Sequence, residues 1–340
     1  MRRFLLSLYF LFTIAAGAQP AALSLMRSIP LPGVSGKFDH FAVDLAGHRL
    51  FAAATGNHSV EVIDLETDKV VQSITGLGKP HGLAWVASTG SLYVADGTLA
   101  ELRVYKGTPL ALAGQIKLSD DTDDLVYDAA TRLLYVGHGG SDRDSPARIA
   151  VVDTASFSLK ADIPVATHPE ALDMDSASGR VFANIADASE IAVIDRGSSS
   201  ISSRWSLDKA GDNVPIAYDA GHRLLYIACR KPAVLIALDD DSGRELSRAP
   251  IGGGADDLFY DAALHRVYVI SGAGQVDSFS VDSRNALSPL PVLQTVSGAK
   301  TALFVPSQGL LYVGFPGAGS EADGATGHAA EIRVYRTQAK

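Results

Sequence analysis

The sequence predicts an all-β fold: a seven-bladed β-propeller of four-stranded blades, closed by the amino-terminal strand pairing with the last blade. Three observations carry that prediction. One short unit recurs seven times, four strand-like runs follow one another in nearly every unit, and a spare run precedes the first unit while the last is one run short.

The unit has the form L-x-x-D-x-x-x-x-R-L-Y-V and is read in "FAVDLAGHRLFAA", "LVYDAATRLLYVG", "LDMDSASGRVFAN", "IAYDAGHRLLYIA" and "LFYDAALHRVYVI", with weaker copies in "LAWVASTGSLYVA" and "LFVPSQGLLYVG". Its aromatic falls at Phe51, Tyr93, Tyr135, Phe182, Tyr226, Tyr268 and Tyr312, at spacings of 42 to 47 residues. The two runs of the unit are rich in Val, Ile, Leu and Tyr and flank a turn of Asp, Gly, Ser and Ala, which is how two paired strands are written. A third run follows each aromatic, as in "VEVID" and "IAVVD". A fourth, such as "VVQSI", follows in six copies. The seventh copy ends on "EIRVY", and "LSLMRSIPL" from Leu23 to Leu31 supplies the missing outer strand that hides its open edge.

Ahead of the repeats, Arg2 and Arg3 precede an apolar run from Phe4 to Ala16 and a small-x-small site at Ala16-Gly17-Ala18. Residues 1–18 therefore read as a secretory signal peptide cleaved near Ala18, and residues 19–340 as one propeller domain in the periplasm or outside the cell. The run is too short to span a bilayer, and no later stretch is apolar for long enough. Cys229 is the only cysteine, so internal disulfides and thiolate clusters are excluded. The formal net charge is −9, and cleavage removes two more positive charges. Nucleic-acid binding needs clustered cations, so this balance excludes it, and the expected partners are a small molecule or an exported protein. The mature chain is expected to be a monomer.

With "LLYVG" and "SLYVA" strands followed by "VEVID" and "IAVID", the chain resembles the YVTN-repeat, YncE-like seven-bladed propellers of exported bacterial proteins across nearly all of the mature chain. The resemblance implies a shared scaffold without one common catalytic motif. By analogy it also brings in lactonase-type and streptogramin-lyase-type propeller enzymes. It further implies an orientation: first strands start at the top rim, second-to-third-strand loops lie there too, and the turns between first and second strands lie at the bottom.

That orientation sorts the polar residues. Asp44, Asp128, Asp175, Asp219 and Asp261 fall at one phase of the bottom turns, where their side chains can bond backbone amides two residues on. Arg49, Arg132, Arg180, Arg223 and Arg266 follow as candidate partners, and His48, His222 and His265 share these turns as structural or solvated residues. The other six histidines map to the top: His40, His81 and His168 before first strands, and His58, His138 and His328 in loops.

Aligned on Phe41, Leu83, Leu125, Leu172, Ile216, Leu258 and Leu303, the three residues before each first strand read "FDH", "PHG", "TDD", "PEA", "NVP", "ADD" and "KTA". Asp39, His40, His81, Asp123, Asp124, Glu170, Asn213, Asp256 and Asp257 thus form an acidic, histidine-bearing funnel with Lys300 as its cation. His138 and His168 complete the set of candidate ligand-binding residues. Part of the acids' role at this repeated position is hydrogen bonding at the strand entry. Turn chemistry does not demand charge here, and converging carboxylates shift pKa values or recruit a cation. A divalent metal ion is the candidate cofactor: oxygen-rich ligands suit calcium or magnesium, and the imidazoles suit zinc or another transition metal.

The "GHGGSDRD" segment reads as a hairpin loop, and the glycine-rich seventh-blade loop as a lid or as surface. No G-x-S-x-G elbow is present. Two functions stay open: a noncatalytic binding scaffold with its ligand, metal or protein partner at the top funnel, and a metal-assisted lactonase-like hydrolase or streptogramin-lyase-like enzyme with no catalytic residue fixed beyond His81 or His168 as base.

Overall fold

The computed structural model describes residues 21–142, 144–317, 319 and 329–339. Residues 1–18, read from the sequence as a signal peptide, and His328 lie outside the described residues. Every alternating run becomes a strand, and the strands form seven antiparallel sheets arranged as the blades of a propeller. Blade 1 shows the plan, with strands Phe41–Asp44, Arg49–Ala54, Ser59–Asp64 and Lys69–Ile74 from the axis outwards. Among the described residues the only helical pieces are two 3-10 turns, Thr55–Asn57 and Ala186–Ala188, each between a second and a third strand.

The repeated aromatic is the reason the blades stack. Phe51, Tyr93, Tyr135, Phe182, Tyr226 and Tyr268 are fully buried, and Tyr312 is nearly so. Each sits at the centre of a second strand, and the apolar clusters it joins are shared with a neighbouring blade. Phe51, for example, packs with Leu92, Val94 and Tyr105 of blade 2. Burying such a ring against a neighbour supplies much of the stability of a sheet that has no other covering layer.

The ring closes as the strand count requires. Leu23–Pro30 pairs antiparallel with Glu331–Thr337, from Leu23 opposite Thr337 to Pro30 opposite Glu331, with one irregularity between Leu25 and Arg27. Blade 6 departs from the plan, because its fourth strand is broken into Leu287–Pro289 and Leu293–Gln294, both paired to Gln275–Val281. Pro289 and Pro291 lack an amide hydrogen, and an edge strand is where such residues are tolerated.

At the bottom turns the aspartates act as expected. Gly47 N–H donates to Asp44 Oδ1, Ala130 N–H to Asp128 Oδ1 and Gly221 N–H to Asp219 Oδ1. The arginine pairing is corrected. Arg49 and Arg180, five residues after their aspartates, do bond Asp44 and Asp175, whereas Arg266, at the same spacing from Asp261, donates to the Gln338 carbonyl instead. Arg132 and Arg223 come one residue earlier, at the left-handed turn position with φ of 62° and 57°. Their side chains leave in another direction, so Asp128 takes Arg196 instead and Arg223 bonds Asp240. His222 replaces the arginine at Asp219.

Candidate functional site

At the start of four innermost strands the pairing shifts register, between Pro80 and Leu83, Pro169 and Leu172, Asn213 and Ile216, and Ala255 and Asp257, and such irregularities re-aim side chains out of the blade. Counting back from the first core residue of each innermost strand, the second position faces the axis. Six of the seven residues there, Asp39, His81, Asp123, Glu170, Val214 and Asp256, line one cavity of about 150 Å³ at the mouth of the ring, and the seventh is Thr301. His40, Asp124 and Ala171, one position later, line the mouth and also a second cavity of about 310 Å³. Asp257, Asp173, Tyr218 and Phe304 are among the residues that wall this second cavity.

The mouth is a charge network. His81 Nδ1 lies 2.9 Å from Asp39 Oδ2 and 3.1 Å from Asp123 Oδ1, so one imidazole clasps carboxylates from two blades. His40 lies 3.4 Å from Asp39 and 3.3 Å from Asp257. Burial opposes protonation of His81, but Asp123 and Asp39 outweigh it and raise its pKa to about 10. Burial likewise opposes ionisation of Asp123, while His81 and His168 hold it well below the usual carboxylate range. Glu170 and Asp124, where burial wins, are pushed up to about 7 and about 6.

His168 is oriented by the loop that follows the second strand of blade 3. Its Nδ1 bonds the Gly139 carbonyl at 2.8 Å, which places the proton on that nitrogen. Its Nε2 is buried and pairs with Asp123 Oδ2 at 3.5 Å; burial opposes protonation of the ring, but Asp123 outweighs it and raises the His168 pKa to about 9. Gly140 makes room for this approach: with φ at +85°, a Cβ here would lie 2.8 Å from His168 N. Asp123, His168 and Glu170 bring one ligand atom each within 4.8 Å of one another, and Asp39, His40 and Asp123 do the same.

Two of the expected funnel residues lie elsewhere. Asn213 turns into the blade, where its Nδ2 donates to Asn184 Oδ1 and the Glu190 carbonyl. His138 is the last residue of the strand Leu133–His138 rather than a loop residue. It accepts from Ser119 N–H and meets Asp162 at 2.9 Å, away from the mouth.

The strand-entry role of the acids is also visible. Leu172 N–H donates to Asp124 Oδ2 at 2.8 Å and Ala302 N–H to Asp257 Oδ2 at 2.6 Å, so each carboxylate fastens its own innermost strand to the next blade's. Asp173 does the same for Tyr218 N–H at 2.7 Å. Asp173, Lys37 and Arg230 line the two cavities without having stood out in the sequence.

No family model matches the chain, and no curated protein matches it. Solved structures do. The chain is similar to Kuenenia stuttgartiensis hydrazine synthase at a TM-score of 0.77 and 15% identity, over 91% of this chain and 97% of that one. It is similar to a chain of the mitotic checkpoint complex at a TM-score of 0.75 and 11% identity, over 99% of this chain and 98% of that one. The likeness is one of fold. At these identities it supports the propeller architecture, a fold consistent with a binding scaffold, and carries no activity across.

Proposed function

We propose that the protein is an exported binding scaffold whose mouth holds a divalent cation on Asp123, His168 and Glu170. The observation that carries this reading is the convergence of Asp123, His168 and Glu170, one ligand atom each within 4.8 Å of one another, with His168 Nδ1 committed to the Gly139 carbonyl so that Nε2 is the nitrogen turned to the carboxylates. A metal-ligating histidine almost always donates its other ring N–H to a carbonyl or carboxylate, because that bond fixes both tautomer and direction. One imidazole with two carboxylates is a borderline set that favours zinc over calcium or magnesium. The basic start and apolar run of residues 1–18 support export, and the repeat supports the resemblance to YVTN-type propellers.

Calorimetric titration of the protein with zinc, after purification without chelator, tests the reading. One zinc per chain is expected, with affinity reduced on the order of a hundredfold or more in Asp123→Asn and in His168→Gln. Absence of heat and of any thermal stabilisation by zinc would reject the reading, as would unchanged binding in both variants. Turnover of a lactone by the zinc-loaded protein would move the assignment to the hydrolase class.

A further inference from the structure

We infer that the ligand completing this mouth is a small dicarboxylate, one end on the cation and the other on a wall built by Lys37, Arg230 and Lys300; this rests on the cation site proposed above.

All three cations line the same cavity as Asp123 and Glu170; the two lysines come from across the ring and Arg230 from the blade next to Glu170. Arg230 is the last residue but one of the second strand of blade 5, Leu224–Lys231; Lys300 precedes the first strand of blade 7, and Lys37 precedes that of blade 1. The ligand atoms Asp123, His168 and Glu170 belong to blades 3 and 4. The mouth therefore has a cation-seeking wall and an anion-seeking wall.

The second wall is held in place rather than merely basic. Arg230 Nε donates to the Ala255 carbonyl at 2.8 Å, and its Nη2 bonds Asp256. Lys300 Nζ meets the other oxygen of Asp256 at 2.6 Å. One carboxylate thus serves two cations, which fixes their heads and leaves one positive charge over. Lys37 adds a second, since it has no ion-pair partner among the described residues. An anion entering here meets donors that are already ordered, so it loses little entropy on binding.

Ligand chemistry follows from the two walls. A monocarboxylate satisfies one of them, and a diamine is repelled by the second. A cavity of about 150 Å³ is also smaller than the roughly 300–1,000 Å³ pockets that take drug-sized ligands, so few atoms separate the two ends. A dicarboxylate with a short spacer meets both demands.

The test is calorimetry at saturating zinc with succinate as probe and propionate as the one-carboxylate control. Succinate is expected to bind at least tenfold more tightly, and Lys37→Met and Lys300→Gln are each expected to reduce that advantage, with melting curves reporting that both variants are folded. Equal binding of the two acids, or a succinate affinity indifferent to both substitutions, would overturn the inference. Should zinc not bind, the cation reading falls separately. Titrating the metal-free protein then decides the cationic wall: succinate binding weakened by Lys37→Met upholds it, and no binding overturns it.

Discussion

Asp173 shows how one carboxylate on the channel wall carries a cost that pH reveals. Its oxygens accept the Met174 and Tyr218 amides at 2.7 Å each. Burial nevertheless dominates and pushes its pKa up to about 6 from 3.8. A raised carboxyl pKa means that the folded protein holds a proton the unfolded chain has released. Stability contributed by the neutral form is therefore present below pH 3.8, falls as pH rises through 6 and stays lost above it. At about 1.4 kcal/mol per unit the loss is at most about 3 kcal/mol. Asp173→Asn keeps an acceptor for the Tyr218 amide and removes the charge. In denaturant titrations from pH 4 to 7 the variant is expected to lose less stability than the parent; parallel curves would contradict the assignment. The signal for this residue was present in the sequence. At the position just after the first core residue of each innermost strand, Ala42, Ala84, Val126, Ala217, Phe259 and Phe304 are apolar, and only Asp173 is charged. The funnel residues are legible for the same reason of phase, whereas Asn213 shares its phase with Lys300, which lines the mouth, and is drawn into the blade by Asn184 and the Glu190 carbonyl, partners that no local pattern announces. Lys37 and Arg230 were not legible, because long side chains reach the mouth from phases the repeat does not mark.

At the scale of the element, the loop after Leu133–His138 positions chemistry without supplying it. Gly139 N–H donates to the Asp120 carbonyl and Gly140 N–H to the Ser145 carbonyl, while Asp120 bonds Ser141 and Ser145, so the loop is tied at both ends. Its product is a single carbonyl aimed at His168 Nδ1. Gly140→Ala combines a left-handed backbone, costing a side chain on the order of 1–2 kcal/mol, with a Cβ 2.8 Å from His168 N. Gly76→Ala is the matched control, since its φ is +77° and no atom lies within 4 Å. Both substitutions are expected to lower the melting temperature, but only Gly140→Ala is expected to weaken zinc binding, by about tenfold, as other losses of a ligand-orienting contact do. Equal zinc affinity in the two variants would show that the loop does not orient His168. Reading this segment as a plain hairpin loop located the element and missed its target, because the target lies in the next blade and no local pattern announces it.

At the scale of the whole molecule, ring closure links the amino-terminal strand to the mouth. Leu23 is nearly buried and Ile29 and Leu31 fully so, and Arg27 reaches Asp68 of blade 1 at 2.9 Å, so the strand seals blade 7 and leans on blade 1. This much was legible by counting strands, since a blade with three and a spare run leave one arrangement without an unpaired edge. Burying those three side chains stabilises the fold by roughly 5–9 kcal/mol before denatured-state compaction is discounted. Removing residues 21–31 is expected to lower the melting temperature sharply and to convert a single species into higher oligomers by light scattering, because the edge of Glu331–Thr337 is then free to pair. The seam also lies between Lys300 of blade 7 and Lys37 of blade 1, while Asp123, His168 and Glu170 stand in blades 3 and 4. Loosening it separates the two lysines and leaves the cation ligands in place. In any folded fraction of the truncated protein, succinate binding is therefore expected to fail before zinc binding does; the reverse order would mean that the seam does not set the geometry of the cationic wall.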